Sequence, residues 1–142
     1  MNRAAAILAT AMAPNSLVAA TNWQTGPITL TLPEPPSANR WWRNVAGRMV
    51  LSRRARQYKQ DVALRMIAAR VRKIAAPQEV QIELTWYRGR RSGDLDKRIG
   101  ILLDALQGVA IDNDSQIVRI VATRADDQAN PRAVITIAGA AA

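Results

Sequence analysis

Ile28, Leu30 and Leu32 alternate with threonines, the period-2 pattern of a half-buried strand over residues 28–32. Pro33, Pro35 and Pro36 follow at once and exclude regular structure there. Ser37-Ala38-Asn39-Arg40-Trp41-Trp42-Arg43 then reads as an ordered loop or short turn, and residues 49–51 as a short strand. Ser52 is an N-cap candidate for a long helix over residues 53 to about 72. Tyr58, Val62, Met66 and Ile67 recur at helical spacing and give that helix its apolar face, with basic residues filling the remainder. Val80, Ile82, Leu84 and Trp86 alternate again and predict a second main strand over 80–86. Leu95, Ile99, Leu102, Leu103 and Leu106 fit the 3.6 period of a second helix over 95–106, which Gly108 can end. Residues 117–123 and 133–137 read as closing strands.

This order of elements predicts a mixed α/β (α+β) fold. A single small domain over 27–142 packs a mixed β-sheet against two main helices. Residues 1–26 are expected to be a flexible Ala-rich extension. The stretch 4–13 loosely imitates a signal-peptide core, but it is weakly hydrophobic and only Arg3 precedes it. No run is long or apolar enough to span a bilayer, and the expected location is cytoplasmic.

Composition narrows the chemistry. The chain has no Cys and no His, which excludes disulfides, zinc sites of the usual His/Cys kind and the commonest general base. Any metal must be held by oxygen, which favours Mg²⁺ or Mn²⁺. Lys and Arg number 20 against 11 Asp and Glu, a formal charge of +9. That balance points to a polyanionic partner, nucleic acid first and an anionic membrane surface second.

Against this basic background, Asp94, Asp96 and Asp104 lie close together in sequence, and Asp112 and Asp114 follow. Residues two apart do not share a helical face, so Asp94 and Asp96 can reach one metal only if Asp94 precedes the helix in cap geometry. Gly93 makes such a bend easy. A helix folded back on the sheet is expected to bring Asp114 alongside the pair. An isolated Asp-x-Asp at a helix start is more often a cap with a favourable dipole charge. Three converging carboxylates, however, are most simply held by a divalent cation able to activate water at a phosphodiester. Asp112-Asn113-Asp114 does not extend into an EF-hand loop.

At these residues the chain resembles the RusA family of Holliday junction resolvases, over roughly 28–137. The likeness begins at Leu32-Pro33-Glu34-Pro35-Pro36-Ser37-Ala38-Asn39 and continues through an Arg- and aromatic-rich stretch and a long helix. It is strongest at Asp94-Leu95-Asp96, Leu102-Leu103-Asp104-Ala105-Leu106-Gln107-Gly108 and Asp114-Ser115-Gln116-Ile117. The resemblance implies a homodimer that needs a divalent metal and nicks one strand of a four-way junction per subunit. It carries the essential carboxylates onto Asp94, Asp96 and Asp114, with Asp104 and Asn39 in supporting positions. The family usually has Asn after the second Asp and Lys three residues further on. Here those positions are Lys97 and Gly100. Lys97 lies about 60° around the helix from residue 100, and is expected to supply the charge that Gly100 cannot. Asn113 stands where the family more often has Asp, with Asp112 beside it as a compensating acid or the site as a simple turn.

Arg88, Arg90 and Arg91, just before the acidic segment, are the leading candidates to hold phosphate. Arg40, Arg43 and Arg48 flank Trp41 and Trp42, a mixture suited to phosphate contact and stacking on an unpaired base. At least one Trp is expected in the core. Arg53, Arg54 and Arg56 read as an ordinary solvated face.

The expected function is magnesium-dependent resolution of branched DNA by paired symmetric nicks, with four-way junctions as partner and no membrane or small-molecule cofactor. A phage or prophage role follows from the resemblance alone. The alternative is a branched-DNA binding protein impaired in catalysis, which Gly100 keeps open. A membrane-surface module rests only on the first helix, whose apolar face is more simply core.

Overall fold

The computed structural model describes residues 26–140; the expectation of a flexible N-terminal extension lies almost wholly outside them. The elements are β1 (Ile28–Pro33), a 3-10 turn (Ala38–Arg40), β2 (Trp42–Val45), β3 (Arg48–Leu51), α1 (Arg53–Ala68) and β4 (Val80–Arg88). They continue with α2 (Leu95–Leu106), a second 3-10 turn (Asp114–Gln116), β5 (Ile117–Asp126) and β6 (Arg132–Gly139). β1, β6, β4 and β5 form one sheet in that order, and only the β4–β5 pair is parallel. β4, α2 and β5 are therefore a βαβ crossover, while β6 inserts between β1 and β4 and pairs antiparallel with both. The mixed sheet with two main helices agrees with the sequence reading.

Alternation decides which sheet face is covered. Val80, Ile82, Leu84 and Trp86 are buried, in register with Gly139, Ile137, Ile135 and Ala133 of β6. The apolar sides of both helices join this face in one core. On α1 the buried residues are Ala55, Tyr58, Val62 and Met66, but Ile67 is 72% exposed. α1 also stops at Ala68, short of the expected 72. Arg70 turns left-handed at φ 55°, with its N–H on the Ile67 carbonyl and the Val71 N–H on that of Met66. These two bonds make a Schellman end, formed here around an arginine instead of the usual glycine.

On α2 the buried set is Ile101, Leu102, Ala105 and Leu106, with Ile99 and Leu103 only partly buried. The buried side is rotated from the expected one toward Ile101 and Ala105, which lie on the other flank of Leu102 and Leu106 from Ile99 and Leu103. The loop reading of residues 37–43 needs correction at its end. Trp42 begins a hairpin with β3, turned by Ala46 and Gly47, both at positive φ. That is the type I′ pattern of two-residue hairpins, and the Asn44 side chain accepts the Gly47 N–H at 3.0 Å.

No helix among the described residues is long and apolar enough to cross a membrane.

Candidate active site and nucleic-acid interface

β4 delivers the chain to the acidic pair. After Arg88 a short loop reaches Gly93, whose φ of +100° is the expected bend. A Cβ at Gly93 would also lie 3.2 Å from both the Trp86 ring and the Arg98 guanidinium. Asp94 is then the N-cap of α2 in extended conformation, without a side-chain capping bond. Its carboxylate is left to solvent at 69% exposure, with the Lys97 ammonium 3.6 Å away. Asp96 is exposed in the first helical turn, where the helix dipole favours an anion. The space beside Gly100 is open, since a Cβ there would meet nothing within 4 Å.

Asp114 is elsewhere. α2 runs back along the sheet, and its 12 residues extend about 18 Å. The segment that follows is tied to the start of β4. Asp112 accepts the Ala76 N–H at 2.8 Å and pairs with Lys73 at 2.8 Å. The buried Gln116 side chain donates to the carbonyls of Ile74 and Gln78. Asp114 is thus at the β4 end opposite Asp94 and Asp96, and the expectation that the returning helix unites all three in one chain is corrected. Among the described residues no three acids, histidines or cysteines stand close enough to share a metal ion. Asn113 is a turn residue: its side chain accepts the Ser115 N–H at 3.1 Å, in a capping box with Gln116. Asp112 is a tether, its carboxyl held below the ordinary range by bonds from Lys73 and the Ala76 N–H.

Asp104 also has a packing role. It accepts the indole N–H of Trp41 at 3.1 Å and has Lys59 at 3.8 Å. Trp41 is 2% exposed and edge-on to Tyr58, so its expected stacking on a base is corrected: the ring is core. Trp42 is the indole that faces solvent, at 51%, beside the exposed Arg43 and Met49 of the hairpin. Arg88 is likewise reassigned, because it is paired to Asp126 and only 12% of its side chain is exposed. Arg40, Arg90 and Arg91 are exposed. Asn39 lies in the first 3-10 turn and lines a cleft with Arg40 and Arg90.

Two residues escaped the sequence reading. Glu34 accepts the Trp86 indole N–H at 3.0 Å and the Gly89 N–H at 3.3 Å, joining the proline loop to the end of β4. Arg98 lies over the Trp86 ring at 4.6 Å and donates to the Pro35 carbonyl. Its signal was present, since 95, 98 and 102 fall on one helical stripe and a cation there interrupts two leucines.

A strongly basic mixed α/β domain with exposed carboxylates at a helix start, bordered by arginines, has the equipment of a DNA-processing protein. A family model described as endodeoxyribonuclease RusA matches residues 33–138, and the chain belongs to that family. Membership implies an endonuclease that resolves Holliday junctions. No curated protein matches the chain.

Proposed function

We propose that this protein nicks four-way DNA junctions symmetrically, as a homodimer that depends on a divalent metal. The observation that carries the reading is the pair Asp94 and Asp96, exposed at the start of α2 with Lys97 3.6 Å from Asp94, in a chain of the RusA family. The pair fits Mg²⁺ by its chemistry: hard oxygens only, and few enough that the ion keeps waters and substrate phosphate as further ligands. Bound there, Mg²⁺ or Mn²⁺ would supply an activated water and stabilise the leaving oxygen of the broken P–O bond.

The chain's own residues do the rest. Asp94 and Asp96 hold two anionic oxygens on a helix start that tolerates them. Lys97 brings positive charge to the same point and replaces the lysine absent at Gly100. Arg90 and Arg91 hold the phosphate being cut, and Trp42 with Arg43 meets an opened base at the branch. Asp114 serves the acidic pair of a second copy. Its distance from the pair in its own chain, and the two-fold symmetry of a junction, support that assignment.

A synthetic four-way junction tests the reading. Paired nicks with Mg²⁺ are expected, lost in EDTA and in Asp96→Asn, with cleavage also lost in Lys97→Ala. Tight junction binding without metal-dependent nicking in the intact protein would favour the impaired binding protein instead. Lys97→Ala with full cleavage would remove the role given to that lysine.

A further inference from the structure

The proline loop, the first 3-10 turn and the start of α1 enclose a cleft of about 1040 Å³. Five arginines line it: Arg40, Arg53, Arg54, Arg90 and Arg98. Among the described residues none of the five forms a salt bridge. The two carboxylates of the cleft are engaged elsewhere, Glu34 with Trp86 and Gly89, and Asp61 with the Gln57 amide at 3.1 Å. Arg98 is fixed in the wall by Trp86 and the Pro35 carbonyl, yet its Nε is buried without any partner.

Unpaired guanidiniums on a shared wall are suited to phosphate, which arginine meets with two parallel N–H bonds. A small organic ligand would find mostly polar groups, where such sites are mostly apolar. Two residues of the cleft lining bracket Asp94 and Asp96 in the chain, Ser92 just before α2 and Arg98 in its first turn, so the cleft adjoins the acidic pair. We infer that this cleft grips the phosphodiester backbone of DNA next to the point of cutting, through Arg53, Arg54 and Arg98 in addition to Arg40 and Arg90. The inference rests on the DNA-binding reading above and assigns a site that the solvated-face reading of α1 had passed over.

The test is junction binding of the full chain in EDTA, measured over a range of salt concentrations, so that cleavage plays no part. Arg53→Ala with Arg54→Ala should make the slope of log K against log salt shallower by about 2, about 1 for each lost phosphate contact. Arg53→Lys with Arg54→Lys should recover most of that slope. Arg70→Ala with Arg72→Ala removes equal charge just beyond the far end of α1 and should leave the slope unchanged. Equal slopes for the Arg53/Arg54 pair and the intact protein, or equal losses for the Arg53/Arg54 and Arg70/Arg72 pairs, would overturn the cleft. An intact protein with no affinity for junctions would instead overturn the DNA-binding reading, and the cleft with it.

Discussion

Asp104 carries a carboxylate into the seam where Trp41, α1 and α2 meet. Its oxygen satisfies an indole N–H that water cannot reach, and its charge faces Lys59. Asp104→Ala strands that buried donor and should destabilise the fold by about 1–3 kcal/mol in urea unfolding. Asp104→Asn keeps an acceptor and should cost less. Neither should change metal affinity if the acid only packs, which isothermal titration with Mn²⁺ would check. Asp112 shows a second such economy, as one side chain holds both Lys73 and the Ala76 N–H. Its carboxyl pKa is lowered on folding, first by the Lys73 hydrogen bond and then by the Ala76 N–H. A lowered carboxyl pKa means stability that is complete above the unfolded value, about pH 4, and is lost as pH falls through the folded value. Melting temperature should therefore drop below about pH 4. Asp112→Asn should be less stable at neutral pH and should flatten that acid limb.

The ends of the elements hold the local strain. Arg70 occupies the left-handed position that closes α1, and nothing but glycine adopts it without steric cost. Arg70→Gly should raise stability by about 0.5–1 kcal/mol in the same urea experiment, the relief exceeding the added freedom of the unfolded chain. The early end of α1 was not legible because the end is formed by a residue that sequence reasoning does not expect there. The four strands of the main sheet and the start of each helix were legible, since β4 alternates cleanly and α2 begins and ends where its caps predict. The β2–β3 hairpin was half seen. β2 is exposed on every residue, so it lacks the apolar alternation that announces a strand, and Ala46 disguises its turn. On α2 the apolar set was legible but its buried side was not, because the apolar arc runs from Ile101 and Ala105 through Leu102 and Leu106 to Ile99 and Leu103, wider than the face that packs.

For the whole molecule, the acidic site was legible as a list of residues and not as a place. Asp94 and Asp96 share a helix start as their spacing allows. Asp114 follows Asp94 by 20 positions in the chain but is carried to the opposite end of β4. A parallel crossover has this consequence by construction: the helix returns the chain to the end where the first strand began. The same geometry separates the basic equipment. Arg90 and Arg98 accompany the acidic pair, whereas Arg88 and Trp41, equally plausible in sequence, are used up in an ion pair and in the core. We propose a resolvase whose carboxylates are completed between two copies. Co-expression of Asp96→Asn and Asp114→Asn chains with different tags, followed by purification of the mixed species, tests it most directly. In a mixed dimer one acidic set would carry both substitutions and the other none. Each variant alone should be inactive on a four-way junction, and the mixed species should nick one strand per junction in Mg²⁺. A mixed species as inactive as its parents, or an Asp114→Asn protein as active as the unsubstituted one, would contradict it.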